Sequence, residues 1–190
     1  MQGLHFGSPI IDLGNIHIKG KPFQAQFEHV VSTKLANGSY QKRITAGTIL
    51  RDSNGRLRQE VFSSGTPDQA FSIIYILEPI NKVSLTLDSR GKTVTQDEYF
   101  PTAEEESGEK NGQSNSAPTR DVEGIKCKIY QLQLQGGIEV EILFSDDLQM
   151  VLLQKTQTHS EEKVLRVYNI TRAEPDNNFF IVPPNYKRLQ

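Results

Sequence analysis

The chain has 190 residues, with 21 lysines and arginines against 23 aspartates and glutamates and a formal net charge of −2. With a pI near 6.1 it lacks the basic excess that grips a phosphate backbone, so no nucleic-acid partner is expected. Hydrophobic residues are 36% of the sequence, enough for a core, but no apolar run approaches the roughly 20 residues of a membrane-spanning helix, and no membrane span is expected.

The N-terminal M-Q-G-L-H-F-G has no charged-then-apolar signal region, which leaves a cytosolic protein or one whose leader has been removed. Beyond it the dominant period is two. In F-Q-A-Q-F, Phe23, Ala25 and Phe27 alternate with glutamines, and in F-S-I-I-Y-I-L, Phe71, Ile73, Tyr75 and Leu77 share one face. Such alternation marks strands with one packed side. Apolar residues at helical spacing are not sustained over three turns anywhere. The pattern predicts an all-β chain of roughly nine or ten antiparallel strands.

Between the first two of these stretches, T-I-L-R-D-S-N-G-R-L-R-Q-E sets Arg51, Arg56 and Arg58 around a turn. A two-residue Asn54-Gly55 loop would oppose Arg51 and Arg58. A three-residue Ser53-Asn54-Gly55 loop pairs Asp52 with Arg56 and staggers the other arginines, as suits a type I turn with a bulge. The stretch reads as a hairpin with a solvated tip, with an anion-gripping site as the alternative.

Pro101 to Arg120 is rich in Glu, Ser, Gly, Asn and Pro and nearly devoid of large apolar residues. It reads as a flexible loop inside one domain of 190 residues. After it, Tyr130, Leu132 and Leu134 alternate with glutamines, and Ile138, Val140 and Ile142 alternate with glutamates. Only a three-residue loop, Gln135-Gly136-Gly137, opposes Leu134 to Ile138, Leu132 to Val140 and Tyr130 to Ile142. Gly137 then takes a left-handed turn position. Phe144, Leu148, Met150 and Leu152 extend this face, which is expected to be covered, with Phe179, Phe180 and Val182 as a plug. I-K-C-K-I, in the opposite phase, predicts a bulge or a change of face between Ile129 and Tyr130. The single cysteine, Cys127, reads as a small buried residue, not a reactive thiol, and no intrachain disulfide is possible.

Catalytic and metal-binding patterns are lacking. His5, His17, His29 and His159 are scattered, without a partner at metal-ligand spacing, and His29 reads as semi-buried and satisfied. Nucleophile-elbow, H-E-x-x-H, P-loop and G-x-G-x-x-G motifs do not occur, so no enzyme, cofactor or metal is expected. Asn37 and Asn169 match the short glycosylation sequon, as chance alone would provide.

Three stretches together carry a resemblance: K-P-F-Q-A-Q, the hairpin I-L-R-D-S-N-G-R-L-R-Q-E, and D-L-Q-M-V-L-L-Q-K through V-Y-N-I-T-R-A-E-P-D-N-N-F-F-I-V-P-P-N-Y. From about Lys21 to Tyr186, with a gap over the loop, they resemble a group of uncharacterised bacterial proteins exported to the envelope. Their ending E-P-D-x-x-x-F-x-V-P-x-x-Y is the most specific piece. More distantly it resembles the outer-membrane lipoprotein carrier superfamily (LolA/LolB-like). That resemblance implies a curved antiparallel sheet or open half-barrel holding acyl chains, and a periplasmic or envelope location after loss of a leader. The carriers cover their concave face with helices, whereas here the only candidate is one turn, N-capped by Asp176.

The resulting expectation is a non-enzymatic envelope protein that binds an apolar ligand, a lipid or a lipoprotein acyl chain. Its lining would be Phe23, Phe27, Tyr75, Leu77, Tyr130, Leu132, Ile142, Phe144 and Met150. The competing expectation is a protein-docking or sensory module using the same sheet. A filled core with an exposed apolar patch would favour docking, and a monomer is expected over a homodimer.

Overall fold

The computed structural model describes residues 19–62, 71–99 and 117–189. Within them lie twelve strands: β1 Phe23–Lys34, β2 Tyr40–Arg51, β3 Leu57–Phe62, β4 Ser72–Glu78, β5 Val83–Asp88, β6 Thr93–Glu98, β7 Thr119–Val122, β8 Ile125–Leu134, β9 Ile138–Ser145, β10 Met150–Gln157, β11 Glu161–Thr171 and β12 Lys187–Arg188. All belong to one open sheet in the order β12-β6-β5-β4-β3-β2-β1-β11-β10-β9-β8-β7. Every pairing is antiparallel except the two-residue β12 against β6. The all-β expectation holds, and the strands beyond the nine or ten expected include the short β7 and β12. Of the expected loop 101–120, residues 101–116 lie outside the described residues, while Thr119 and Arg120 belong to β7 opposite Cys127 and Lys128.

Both hairpin registers follow the loop lengths read from sequence. Tyr130 faces Ile142, Leu132 faces Val140 and Leu134 faces Ile138. Gly136 and Gly137 both have positive φ, 80° and 72°, the left-handed conformation glycine adopts at no steric cost. Around Asn54, Arg51 pairs with Leu57 and Leu50 with Arg58, and the Asp52 N–H donates to the Arg56 carbonyl at 3.1 Å.

The larger core runs across the sheet from Leu57 and Leu77 through Phe23, Phe27 and Ile49 to Cys127, Leu143, Met150, Leu152 and Val167. One cluster fed by eight neighbouring strands requires the sheet to curve around it. A register shift between Val151 and Leu153 assists, since an inserted residue bends a strand and interrupts its alternation. Phe27 lies over Gly47, where an added Cβ would come within 2.7 Å of the ring. Here glycine leaves room for a fully buried aromatic.

A second core lies under the C-terminal segment: Leu50, Ile74, Ile76, Leu85, Leu87 and Val94 surround Phe180, with Val182 and Tyr186 packed on it. Ile74 and Ile76 alternate with the Leu77 phase, so both sides of β4 are apolar and both meet core. The helical turn read at Asp176 is present as a 3₁₀ turn, Asn177–Phe180, with the Asp176 carboxylate accepting from the Asn178 N–H at 2.8 Å. It does not plug the β8–β10 face, however. It covers the N-terminal half of the sheet instead, and Phe179 remains 45% exposed.

Phe180 is 2% exposed and is the one aromatic in that second cluster's buried set, so Phe180→Ala should destabilise the fold by about 3–5 kcal/mol. Denaturant unfolding checks this, and a loss under about 1 kcal/mol would mean that the segment is dispensable to the core.

Candidate functional site

Of the nine candidate lining residues, four come together inside the larger core: Phe23, Phe27 and Met150 at 0% exposure and Leu77 at 6%. Tyr75, on the same side of β4 as Leu77, is half-buried, and burial pushes its phenol pKa up. Tyr130, Ile142 and Phe144 are half-buried, and Leu132 is exposed. These four share one side of the β8–β9 hairpin, because directly opposed residues share a side and alternate residues return to it.

The core takes the other phase of this hairpin. Ile125, Cys127 and Leu143 are buried, with Ile129 packed on them. The β8–β9 register is unbroken from Lys128 to Leu134, so of the bulge or change of face expected between Ile129 and Tyr130 it is the change of face that occurs. I-K-C-K-I simply faces the core, and Y-Q-L-Q-L turns its leucines the other way. The ten-residue face expected to be covered is therefore divided. Leu148, Met150 and Leu152 are buried at 2%, 0% and 0%, while Leu132 and Leu134 are 47% and 51% exposed. The side chains of Ile138, Val140 and Ile142 continue that stripe half-buried. Cys127 is fully buried, and burial, with Asp121 nearby, pushes its thiol up to about 11.

Where these strands run out beyond the core lies a depression of about 480 Å³, lined by Gln131, Leu132, Gln133, Glu139, Val140, Glu141, Lys155, Thr156, Gln157 and Glu162. The Gln131 amide donates to Glu141 at 3.4 Å and the Gln133 amide to Glu139 at 3.1 Å. Its lining is mostly polar and exposed, unlike an acyl-chain cavity.

The arginine hairpin is not a solvated tip. Arg51 is 0%, Asp52 1% and Arg58 8% exposed. Arg51 donates from Nε to the Lys21 carbonyl and from a terminal nitrogen to the Leu148 carbonyl, both at 2.8 Å, and lies 4.8 Å from the centre of the Phe23 ring. Burial pulls its pKa down to about 10, so it remains a cation at neutral pH. Arg56 pairs with Asp52 at 2.7 Å, donates to Asn177 at 2.7 Å and stacks 4.5 Å from the Phe180 ring centre. Arg58 pairs with Glu60 at 2.8 Å and lies 5.6 Å from the Phe179 ring centre. The Arg56 and Arg58 contacts tie the hairpin to the C-terminal segment, and all three arginines donate to the protein's own oxygens and lie against its rings. Proximity of the arginines in sequence offered no sign of this, since most of the partners lie far along the chain.

His29 is half-buried in β1, and His159 is exposed in the β10–β11 turn. His5, His17 and Glu104–Glu106 lie outside the described residues. Among those described, no group of three or more His, Cys, Asp or Glu side chains could hold a metal, and no helix is long and apolar enough to cross a membrane.

No protein-family model matches the sequence, and no curated protein matches it. Solved structures do. An uncharacterised conserved protein from Thermus thermophilus superposes with a TM-score of 0.54 at 10% identity, over 92% of this chain and 91% of that one. MucB in complex with MucA matches at a TM-score of 0.48 and 11% identity, over 90% of this chain but 57% of MucB. The LolA superfamily protein NE2245 from Nitrosomonas europaea matches at a TM-score of 0.29 and 8% identity, over 88% of this chain and 93% of that one. Of these, the Thermus structure superposes closely enough to speak for the fold, and 10% identity speaks for nothing further.

Arg51→Met would leave the Lys21 and Leu148 carbonyls without their donor, and should cost about 2–4 kcal/mol. A shift of the unfolding midpoint worth less than about 1 kcal/mol would mean that water replaces the guanidinium. For His29, burial first, then Lys163 and Arg43, hold the imidazole pKa below 6.5, while Glu161 pulls the other way. The folded state thus binds its proton less readily than the unfolded state does. Stability is full above the unfolded pKa of about 6.5 and falls as pH drops through it. His29→Gln should flatten that fall, as followed by thermal melts across the range.

Proposed function

We propose that this is a non-enzymatic protein of the bacterial envelope that docks a protein partner on the apolar side of its β8–β9 hairpin. One contrast carries the reading. Interior side chains expected to line a ligand cavity fill their own core, with Phe23, Phe27 and Met150 at 0% exposure, while Leu132 and Leu134 stand half in water. Burying a large apolar side chain is worth about 1.5–3 kcal/mol. A stripe left uncovered on a sheet that packs elsewhere therefore favours association. The mostly polar lining of the neighbouring depression supports a protein over an acyl chain. The envelope location is supported by the resemblance of the E-P-D-N-N-F-F-I-V-P-P-N-Y ending to exported proteins.

The paired substitution Leu132→Ser and Leu134→Ser tests the reading. It should sharply reduce binding of a hydrophobic dye. Because both residues are exposed, stability should change by no more than about 1 kcal/mol. A fluorescent long-chain fatty acid that binds one-to-one, and does so equally well in the double variant, would overturn docking in favour of acyl-chain carriage within the sheet.

A further inference from the structure

The two edges of the sheet differ. At one, the chain lays Lys187–Arg188 along β6, with the Lys187 N–H donating to the Lys92 carbonyl and that of Leu189 to the Val94 carbonyl, both at 2.8 Å. A short charged strand of this kind is a recognised way of blunting an edge. At the other edge β7 begins at Thr119, opposite Lys128, so it covers only the first part of β8. The last bond on that side runs from the Ile129 N–H to the Pro118 carbonyl at 2.8 Å.

Ile129 therefore points its main-chain groups away from β9. Main-chain direction alternates along an antiparallel strand, so Gln131 and Gln133 point theirs outward as well. Among the described residues, no strand pairs with that side of β8 beyond Ile129. The exposed strand is Y-Q-L-Q-L, Tyr130 to Leu134, without charge or proline. Among the described residues it has none of the usual protections against strand addition.

We infer that the partner adds a strand here: an extended peptide segment, alternating apolar and basic, pairs its main chain with Gln131 and Gln133. The inference rests on the docking reading of this hairpin and names what docks. A strand laid beside β8 would set alternate side chains on its two sides. On one side they meet Tyr130, Leu132 and Leu134, so apolar residues fit. On the other they meet Gln131 and Gln133, whose amides already contact Glu141 and Glu139. The depression beside them holds Glu139, Glu141 and Glu162 against Lys155, with Arg120 paired to Glu141 at 3.2 Å. The balance there is negative, so lysine or arginine fits at the alternate positions.

The test uses the full chain and a short, fluorescently labelled peptide of alternating valine and lysine. Fluorescence anisotropy measures binding, and hydrogen exchange reports the Gln131 and Gln133 amides. The peptide should bind and slow exchange at both amides at least about tenfold, a change of about 1.4 kcal/mol in the opening equilibrium. N-methylating the peptide backbone, or substituting Gln133→Pro in the protein, should abolish binding. A valine–glutamate peptide should bind at least about tenfold more weakly. Four results would overturn strand addition. Binding without protection at Gln131 and Gln133 would place the peptide on the stripe alone and leave the docking reading intact. Protection already present in a monomer would mean that the chain covers its own edge. Protection that appears with dimerisation would give the edge to a second copy. Absence of binding and of protection would refute this partner, while the double leucine variant separately decides the docking reading.

Discussion

A buried guanidinium must have its donors taken, and at Arg51 that requirement ties distant parts of the sheet together. Arg51 ends β2, yet its hydrogen bonds run to Lys21, just before β1, and to Leu148, in the turn between β9 and β10. Those two carbonyls come from the approach to β1 and from the β9–β10 turn, which the sheet order places two strands further on. Leaving a buried charge unpaired costs far more than a surface ion pair gains, so curvature that broke these bonds would be strongly disfavoured. The larger core, with Phe23, Met150 and Leu148 around the same group, then packs in a fixed shape. Nearby, Lys21 bonds to the Asp147 carbonyl at 2.7 Å, and Arg172 pairs with the Asp147 carboxylate, so the same corner also holds the end of β11.

Legibility followed the range of each interaction. Hairpin registers are set by loop length and the period of two, both local, and Gln135-Gly136-Gly137 and Ser53-Asn54-Gly55 were readable for that reason. The capped turn at Asp176 was equally local. Which side of β8 is buried was not readable. Ile125, Cys127 and Ile129 offer one apolar phase, and Tyr130, Leu132 and Leu134 offer the other. Only the cover decides between them, and the cover comes from β9 to β11, β1 and their neighbours. The arginines failed similarly. Charged residues in a turn read as solvated, but their burial depends on oxygens and rings far along the chain, such as the Leu148 carbonyl for Arg51 and Asn177 and the Phe180 ring for Arg56. Within the candidate site, the apolar residues of the stripe were legible and their exposure was not.

The two cores also explain why the stripe is left uncovered. A sheet of this width has two faces to protect, and the chain past β11 supplies one covering segment with a buried aromatic. That segment lies on the β2–β6 half, held by Arg56 on Phe180 and Asn177 and by the Ser53 N–H donating to Glu174 at 3.0 Å. The larger core protects the inner side of the remaining strands by curvature. The outer side of β8 and β9 receives neither device. Its half-buried members gain partial shelter from neighbours on the sheet, as Tyr130 and Ile142 do by facing each other, and the shelter thins toward the Gly136–Gly137 turn. The apolar stripe is thus barest where β7 no longer accompanies β8. The exposed side chains of Leu132 and Leu134 lie beside the outward main-chain groups of Gln131 and Gln133, and a partner meeting the protein there would find both in one place.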